Sequence, residues 1–263
     1  MSNKIKANGI DVNYVFDGPQ NAPVLMLSNS LASNLHMWDA QVEALASKFR
    51  ILRADTRGHG KTEVTSPPYT IQLLLDDAIA LLDALQIEKV HFCGLSLGGM
   101  IGQQFGAFHG DRLHSLTLCD TTSQMRDPSI WDERMKMAKE RGMAGIQSAT
   151  MTRWFTENFL SAGGGVIKEI QEMIEATPLV GFLGCCEAIK EMNQEDILKK
   201  IQSPTLIIVG EDDQSTPLAA AQFLKENIQG SELVVIKSAA HLANIEQHEA
   251  FNVALGTHIE KIN

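Results

Sequence analysis

The sequence predicts an α/β protein with a mostly parallel central sheet flanked by helices and a helical cap inserted into it. Short, continuous apolar runs, typical of strands buried on both faces of a parallel sheet, occur at residues 24–27, 49–52, 90–93, 116–119, 206–209 and 233–236. Helical patterns lie between most of these runs, at residues 37–48, 71–85, 98–109, 218–227 and 249–261. Strands that alternate with helices indicate β-α-β units.

Two segments depart from this alternation. Residues 4–7 and 10–16 alternate between apolar and polar side chains around Asn8-Gly9, which predicts an antiparallel hairpin with a two-residue turn. Residues 122–196 contain no comparable strand run and carry Met, Ile and Phe at helical spacings. We therefore expect a core made of residues 1–121 and 197–263 and a helical cap made of residues 122–196.

The composition of the chain argues against several kinds of partner and several kinds of site. The 263 residues carry a formal charge of −10, which argues against nucleic acid or an anionic membrane as a partner. The first residues form no apolar signal region, and no apolar run is long enough to cross a membrane. The four cysteines fit neither a disulfide framework nor a CxxC metal pattern, so we expect a buried, reduced set in a cytoplasmic protein.

The most informative motif is Gly94-Leu95-Ser96-Leu97-Gly98, directly after the apolar run 90–93 and directly before a helical pattern. This order is typical of a strand-to-helix turn that exposes a nucleophilic serine. It makes Ser96 the candidate nucleophile and aims the Leu97 amide at a developing oxyanion. The alternative is a glycine-rich turn with a spectator serine, although the string matches neither phosphate-binding glycine pattern.

A nucleophilic serine needs a base, since a free hydroxyl is a poor nucleophile at neutral pH. His241 follows the last strand run and so should lie at the carboxyl edge of the sheet, where Ser96 also lies. His59 is the alternative base, because its loop also follows a strand. The remaining six histidines fit less well: His36 lies in a loop, and the others lie within a strand or on or beside helices. The chain order Ser, acid, His favours His241.

The acid should follow the strand run at residues 206–209. Three carboxylates occur there, at residues 211–213. We select Asp213 because it follows Gly210 by three positions and precedes Thr216-Pro217, which opens a helix. Asp120, after the preceding core strand, remains a second position for the acid. The other oxyanion donor should come from the loop after residues 24–27, where counting back from Trp38 gives the amide of Leu31.

These motifs together resemble the α/β-hydrolase fold with a cap, over essentially the whole chain. More narrowly, the chain resembles the 3-oxoadipate enol-lactonases. The specific strings are Asn29-Ser30, in place of the widespread His-Gly, and Arg153-Trp154-Phe155-Thr156, supported by Cys185-Cys186-Glu187-Ala188-Ile189. Ala32, where such enzymes often carry glycine, and the stretch 163–165 depart from the pattern.

The resemblance implies a hydrolase that opens a small anionic lactone through an acyl-enzyme on Ser96, with no metal or organic cofactor. An acidic protein needs a local cation for such a substrate. Arg153 is the candidate to bind the substrate carboxylate, and Trp154 is the candidate for a wall of the pocket. A second set of basic residues is interleaved with acids and is expected on a solvated helix face: Arg134, Lys136, Lys139 and Arg141.

Several other functions stay open on sequence grounds. The same three residues would serve a general carboxylesterase, a cofactor-free perhydrolase or a C–C bond hydrolase of ring-cleavage products. A ligand receptor on this fold is the alternative from a different class. The sequence leaves open whether the chain is a monomer or a homo-oligomer.

Overall fold

The structure is a computed structural model that describes residues 3–262. Its centre is one eight-stranded sheet with the order β1-β2-β4-β3-β5-β6-β7-β8. The strands are β1 (Asn3–Ala7), β2 (Ile10–Asp17), β3 (Val24–Ser28), β4 (Arg50–Ala54), β5 (Val90–Leu95), β6 (Leu113–Cys119), β7 (Thr205–Gly210) and β8 (Glu232–Ile236).

The strand pairing follows the change in sequence pattern after the hairpin. β1 pairs antiparallel with β2 across a turn in which Asn8 and Gly9 have φ of +46° and +79°, the two positive values of a type I′ hairpin. β2 is antiparallel to β4, and every later pair is parallel. The central strands β5 and β7 are buried at every position, which explains their continuous apolar runs.

Helices cover the sheet and form the long connection between β6 and β7. They are α1 (Asp39–Leu45), α2 (Ile71–Ala84), α3 (Leu97–Phe108), α4 (Ser129–Trp154), α5 (Glu157–Ala162), α6 (Gly165–Glu175), α7 (Leu179–Lys190), α8 (Leu218–Asn227), α9 (Ala243–Glu246) and α10 (His248–Glu260). The predicted fold class is confirmed, and α4 to α7 all fall within the segment 122–196. None of the helices in the described part of the chain is long and apolar enough to span a membrane.

Helix α4 is interrupted at Gly142, whose φ of +70° and ψ of −175° are not helical. Glycine adopts a positive φ without the steric cost that a Cβ brings. The break folds the two halves of α4 toward each other, so that Nη2 of Arg134 in the first half donates to Oγ1 of Thr150 in the second half, at 3.3 Å. The break thus brings together two residues that lie 16 positions apart in the sequence.

Candidate active site

Ser96 occupies the sharp turn between β5 and α3. Its φ of +55° and ψ of −111° lie where a residue with a side chain is strained, at a cost of order 1–3 kcal/mol. Three hydrogen bonds hold this conformation. The Ser96 amide donates to the Cys119 carbonyl at 2.9 Å. The Ser96 carbonyl accepts from the Thr121 hydroxyl at 2.8 Å and from the Met100 amide at 3.0 Å. A rigid, strained backbone presents the hydroxyl in one direction.

The two glycines of the motif make this turn possible. A Cβ on Gly94 would lie 2.1 Å from the carbonyl oxygen of Gly98, and a Cβ on Gly98 would lie 2.2 Å from the carbonyl oxygen of Ser28. Gly98 also donates its amide to the carbonyl of Asn29 at 3.0 Å. The turn therefore packs directly on the loop that follows β3.

Asp213 and His241 lie together in the loops after β7 and β8. Nδ1 of His241 donates to Oδ2 of Asp213 at 2.9 Å, and both residues are buried. Burial alone would raise the pKa of Asp213, but the charge and hydrogen bond of His241 and the hydrogen bonds of Thr216 outweigh it and lower that pKa. An ionised Asp213 keeps the proton on Nδ1, which leaves Nε2 as the basic nitrogen.

The two alternative residues have other surroundings. Nε2 of His59 accepts from the Ala32 amide at 3.2 Å, and its Nδ1 donates to the Arg57 carbonyl at 3.2 Å, so both ring nitrogens are engaged by backbone. Burial lowers the pKa of His59. Asp120 accepts the Gly210 amide at 2.7 Å on one oxygen, while burial and the charge of Asp213 raise its pKa well above the ordinary range. His59 thus supports a loop, and the raised pKa of Asp120 does not suit an acid that must stay ionised beside an imidazolium.

Two backbone amides are available to bind an oxyanion. Within residues 3–262, neither the Leu31 amide nor the Leu97 amide has a hydrogen-bond partner, whereas the flanking amides of Ser30, Ala32 and Gly98 do. Leu97 is the first residue of α3, where the helix dipole adds a partial positive charge. Leu31 lies on the wall of the cavity that also contains Ser96.

That cavity has a volume of about 300 Å³ and contains both Ser96 and His241. The cavity is lined by Arg153 and Trp154, at the end of α4, which the sequence analysis names as candidate binding residues. Met100 also lines it. The guanidinium of Arg134 lines it as well, although the sequence predicts a solvated helix face for this residue. That prediction is wrong, because the break at Gly142 directs this face of the first half of α4 toward the cavity.

Within residues 3–262, neither Arg134 nor Arg153 has an acidic partner in an ion pair. The guanidinium of Arg134 donates to the Thr150 hydroxyl and lies over the rings of Trp131 and Phe182, at 5.2 and 5.4 Å from their centroids. Burial lowers the pKa of Arg153. Burial also lowers the pKa of Arg134 to about 10, with Cys186 opposing and Arg153 adding to the shift. Both groups remain charged at neutral pH and can bind an anion.

A buried carboxylate joins the His241 loop to the end of α4. Oε2 of Glu246 accepts from the amide of Ala240 at 2.9 Å, and its Oε1 accepts from the amide and the hydroxyl of Thr156. On the other side of His241, the Leu242 amide donates to the Trp154 carbonyl at 3.0 Å. The base and the arginine-bearing helix are therefore held by one set of hydrogen bonds.

Comparison with known proteins identifies the family. A model described as alpha/beta hydrolase fold matches residues 23–247. The chain belongs to the alpha/beta hydrolase fold family. It is 34% identical to 3-oxoadipate enol-lactonase 2 of Acinetobacter baylyi over 98% of this chain and 97% of that protein.

Two solved structures of this family superpose over nearly the whole α/β-hydrolase chain. The enol-lactonase from Burkholderia xenovorans LB400 has a TM-score of 0.96 and 36% identity, and the match covers 98% of this chain and 100% of that one. A thermophilic esterase from Thermogutta terrifontis, in a malate-bound structure, has a TM-score of 0.91 and 28% identity, with 100% and 99% covered.

The roles of two residues of this α/β-hydrolase, Arg134 and Glu246, are not predicted by the sequence. Arg134 carried a helical charge pattern that gave no sign of burial, and only the isolated Gly142 inside that pattern pointed to a break. Glu246 follows His241 by five positions and is surrounded by polar residues such as Asn244, Gln247 and Glu249, so its sequence context gives no sign of burial. Both residues are recognisable once the packing of α4 on the His241 loop is known.

Proposed function

We propose that this α/β-hydrolase opens 3-oxoadipate enol-lactone to 3-oxoadipate, through an acyl-enzyme on Ser96 with His241 as base and Asp213 as its acid. One observation supports the choice of substrate: Arg134 and Arg153, which form no ion pair within the described residues 3–262, both line the cavity that contains Ser96 and His241. A neutral ester gives such a pair nothing to bind, whereas the carboxylate of the enol-lactone does. Relatives named enol-lactonases at 34% and 36% identity support the same substrate.

Acylation begins when Oγ of Ser96 attacks the lactone carbonyl and Nε2 of His241 takes its proton. Asp213 stabilises the imidazolium that forms, and the Leu31 and Leu97 amides bind the oxyanion. The tetrahedral intermediate then collapses by breaking the bond from the carbonyl carbon to the ring oxygen. This oxygen leaves as an enol after it takes the proton from His241.

The opened chain stays attached to Ser96 as an ester, and its enol tautomerises to the ketone. A water molecule gives a proton to His241 and attacks the ester carbonyl, so that the second tetrahedral intermediate expels Ser96 and releases 3-oxoadipate. Every step uses groups of the chain and water alone. The reaction consumes one water and restores His241 to its starting state.

The carboxylate of the substrate is bound by Arg153 and Arg134, and the indole of Trp154 forms a wall beside it. Arginine suits this role because its planar fork matches a carboxylate and keeps its charge when half-buried. We assign residues 122–196 as the cap that supplies all three side chains. The core of residues 1–121 and 197–263 supplies Ser96, Asp213 and His241.

Steady-state kinetics on the enol-lactone and on p-nitrophenyl acetate test the proposal. We expect multiple turnovers of the lactone, and Ser96→Ala should lower kcat on the order of 10⁴-fold or more while circular dichroism stays unchanged. Arg153→Ala should lower kcat/KM for the anionic lactone far more than for the neutral ester. Lys136→Ala, an exposed cation on the same helix, is the matched control.

The same measurements separate the rival functions. A general esterase or perhydrolase would prefer the neutral ester, and a C–C bond hydrolase would turn over a ring-cleavage product instead of the lactone. A receptor would bind without multiple turnovers. Full activity in Ser96→Ala would refute the serine mechanism.

A further inference from the structure

The cavity is lined by apolar side chains as well as by the two arginines. Its volume of about 300 Å³ lies at the lower end of the roughly 300–1,000 Å³ found for pockets that hold drug-sized ligands. The lactone is a polar molecule with only six carbons. Apolar side chains of the lining are therefore left over when the lactone carboxylate is bound by the arginines and its carbonyl lies at Ser96.

Part of this apolar surface lies at the rim and is open to solvent. Ile130 and Met137 line the cavity, and 58% and 38% of their surfaces are exposed. They precede and follow Arg134 by four and three positions, so the three side chains share one face of the first half of α4. These two side chains are positioned to contact an apolar group of a ligand that is bound in the cavity.

Ring opening shows what kind of ester fits this arrangement. The acyl-enzyme made from the lactone is a six-carbon chain with its ester on Ser96 and a free carboxylate at its far end. An open-chain half-ester of a dicarboxylic acid produces an acyl-enzyme of the same class. Its alcohol is a separate group that needs space beyond the acyl chain, and the apolar rim supplies that space.

We propose that the same site hydrolyses half-esters of linear dicarboxylic acids, with the free carboxylate bound by Arg134 and Arg153 and an apolar alcohol lying against Ile130 and Met137. This activity rests on the proposed function, because it uses the same nucleophile and the same arginines. Ser96 forms the acyl bond as the bond to the alcohol oxygen breaks, and His241 passes the serine proton to that oxygen. Water then releases the dicarboxylate and restores Ser96.

Phenyl hydrogen adipate and phenyl adipamate form a matched pair of substrates for the test. They differ only in a terminal carboxylate against an uncharged carboxamide of nearly the same shape. Hydrogen bonds to a charged group predict a kcat/KM ratio of about 10- to 100-fold in favour of the half-ester in the wild-type protein. Phenol release is followed by absorbance after subtraction of the rate without enzyme.

Variants identify the groups that produce this ratio. Arg134→Met and Arg153→Met should each move the ratio toward one, whereas Lys136→Met should retain the wild-type ratio. A wild-type ratio near one, or a ratio unchanged in both arginine variants, would overturn the proposal. The wild-type ratio needs no variant, so a misfolded variant does not remove the test.

The enol-lactone is assayed with the same preparation to keep the two proposals apart. Turnover of the lactone together with a half-ester ratio near one would reject the half-ester activity and leave the enol-lactonase function standing. A high ratio without lactone turnover would support the half-ester activity and reject the enol-lactone as substrate.

Discussion

Asp213 and Asp120, the two candidate positions for the acid, predict different results when each is replaced by asparagine. In Asp213, Oδ1 accepts the amides of Ser215 at 2.7 Å and Thr216 at 3.0 Å, while Oδ2 accepts Nδ1 of His241. The two amides will retain an oxygen at the Oδ1 position, so Asp213→Asn places its NH₂ group against His241. This group donates to Nδ1 and moves the imidazole proton to Nε2, where it blocks deprotonation of Ser96.

The expected loss in kcat is therefore on the order of 10⁴-fold, the size found when a triad aspartate elsewhere becomes asparagine and the wrong tautomer results. That loss corresponds to about 5.5 kcal/mol of transition-state stabilisation. Asp120→Asn should change kcat only a few-fold. Burial raises the pKa of its carboxyl, which favours the neutral form, and asparagine keeps the acceptor for the Gly210 amide.

Stability against pH gives the Asp120 prediction a second measurement. The unfolded chain releases the Asp120 proton near its ordinary pKa, whereas the folded chain retains it to a higher pH. The contribution of Asp120 to the free energy of unfolding therefore falls as pH rises from its unfolded pKa to its folded pKa, on the order of 1 kcal/mol per pH unit for one proton. Asp120→Asn has no such proton, so its stability relative to wild type should increase with pH.

The assays are steady-state hydrolysis of p-nitrophenyl acetate and urea denaturation at several pH values between about 5 and 8. A large kcat loss in Asp120→Asn with activity retained in Asp213→Asn would refute the assignment of the acid. A stability difference between Asp120→Asn and wild type that stays constant with pH would show that Asp120 is ionised in the folded protein.

Two further substitutions test how the site is supported. Glu246→Gln should lower kcat and the melting temperature together, since an NH₂ group that replaces one carboxylate oxygen cannot accept the hydrogen bond made there by Ala240 or Thr156. Ser115→Ala, which removes a buried hydroxyl bonded to His91, should lower the melting temperature alone. Gly98→Ala should destabilise the fold by about 1–3 kcal/mol or more, because the added Cβ would collide with the Ser28 carbonyl. Denaturant unfolding measures this loss, and esterase activity should disappear with it. Wild-type activity in this variant would contradict the tight turn.

The sheet and the positions of Ser96, Asp213 and His241 could be predicted because their signals are local. A parallel strand must be followed by a loop at its carboxyl edge, so three polar residues after three strand runs are expected at one edge of the sheet. The Gly94 and Gly98 positions are likewise dictated within a few residues by a turn that leaves no space for a Cβ. The hairpin register follows from Asn8-Gly9 in the same way.

Arg134 could not be assigned this way, because its environment depends on two elements that meet only in the folded chain. As part of an unbroken 26-residue helix, Arg134 and Arg153 would lie about 28 Å apart along the axis at 1.5 Å per residue. The positive φ of Gly142 replaces that separation with contact between the two halves, so that both cations line one cavity. If the two arginines bind the substrate carboxylate as proposed, their meeting depends on a glycine that does not line the cavity. Substitution of Gly142 should therefore lower kcat/KM for the lactone more than kcat/KM for a neutral ester.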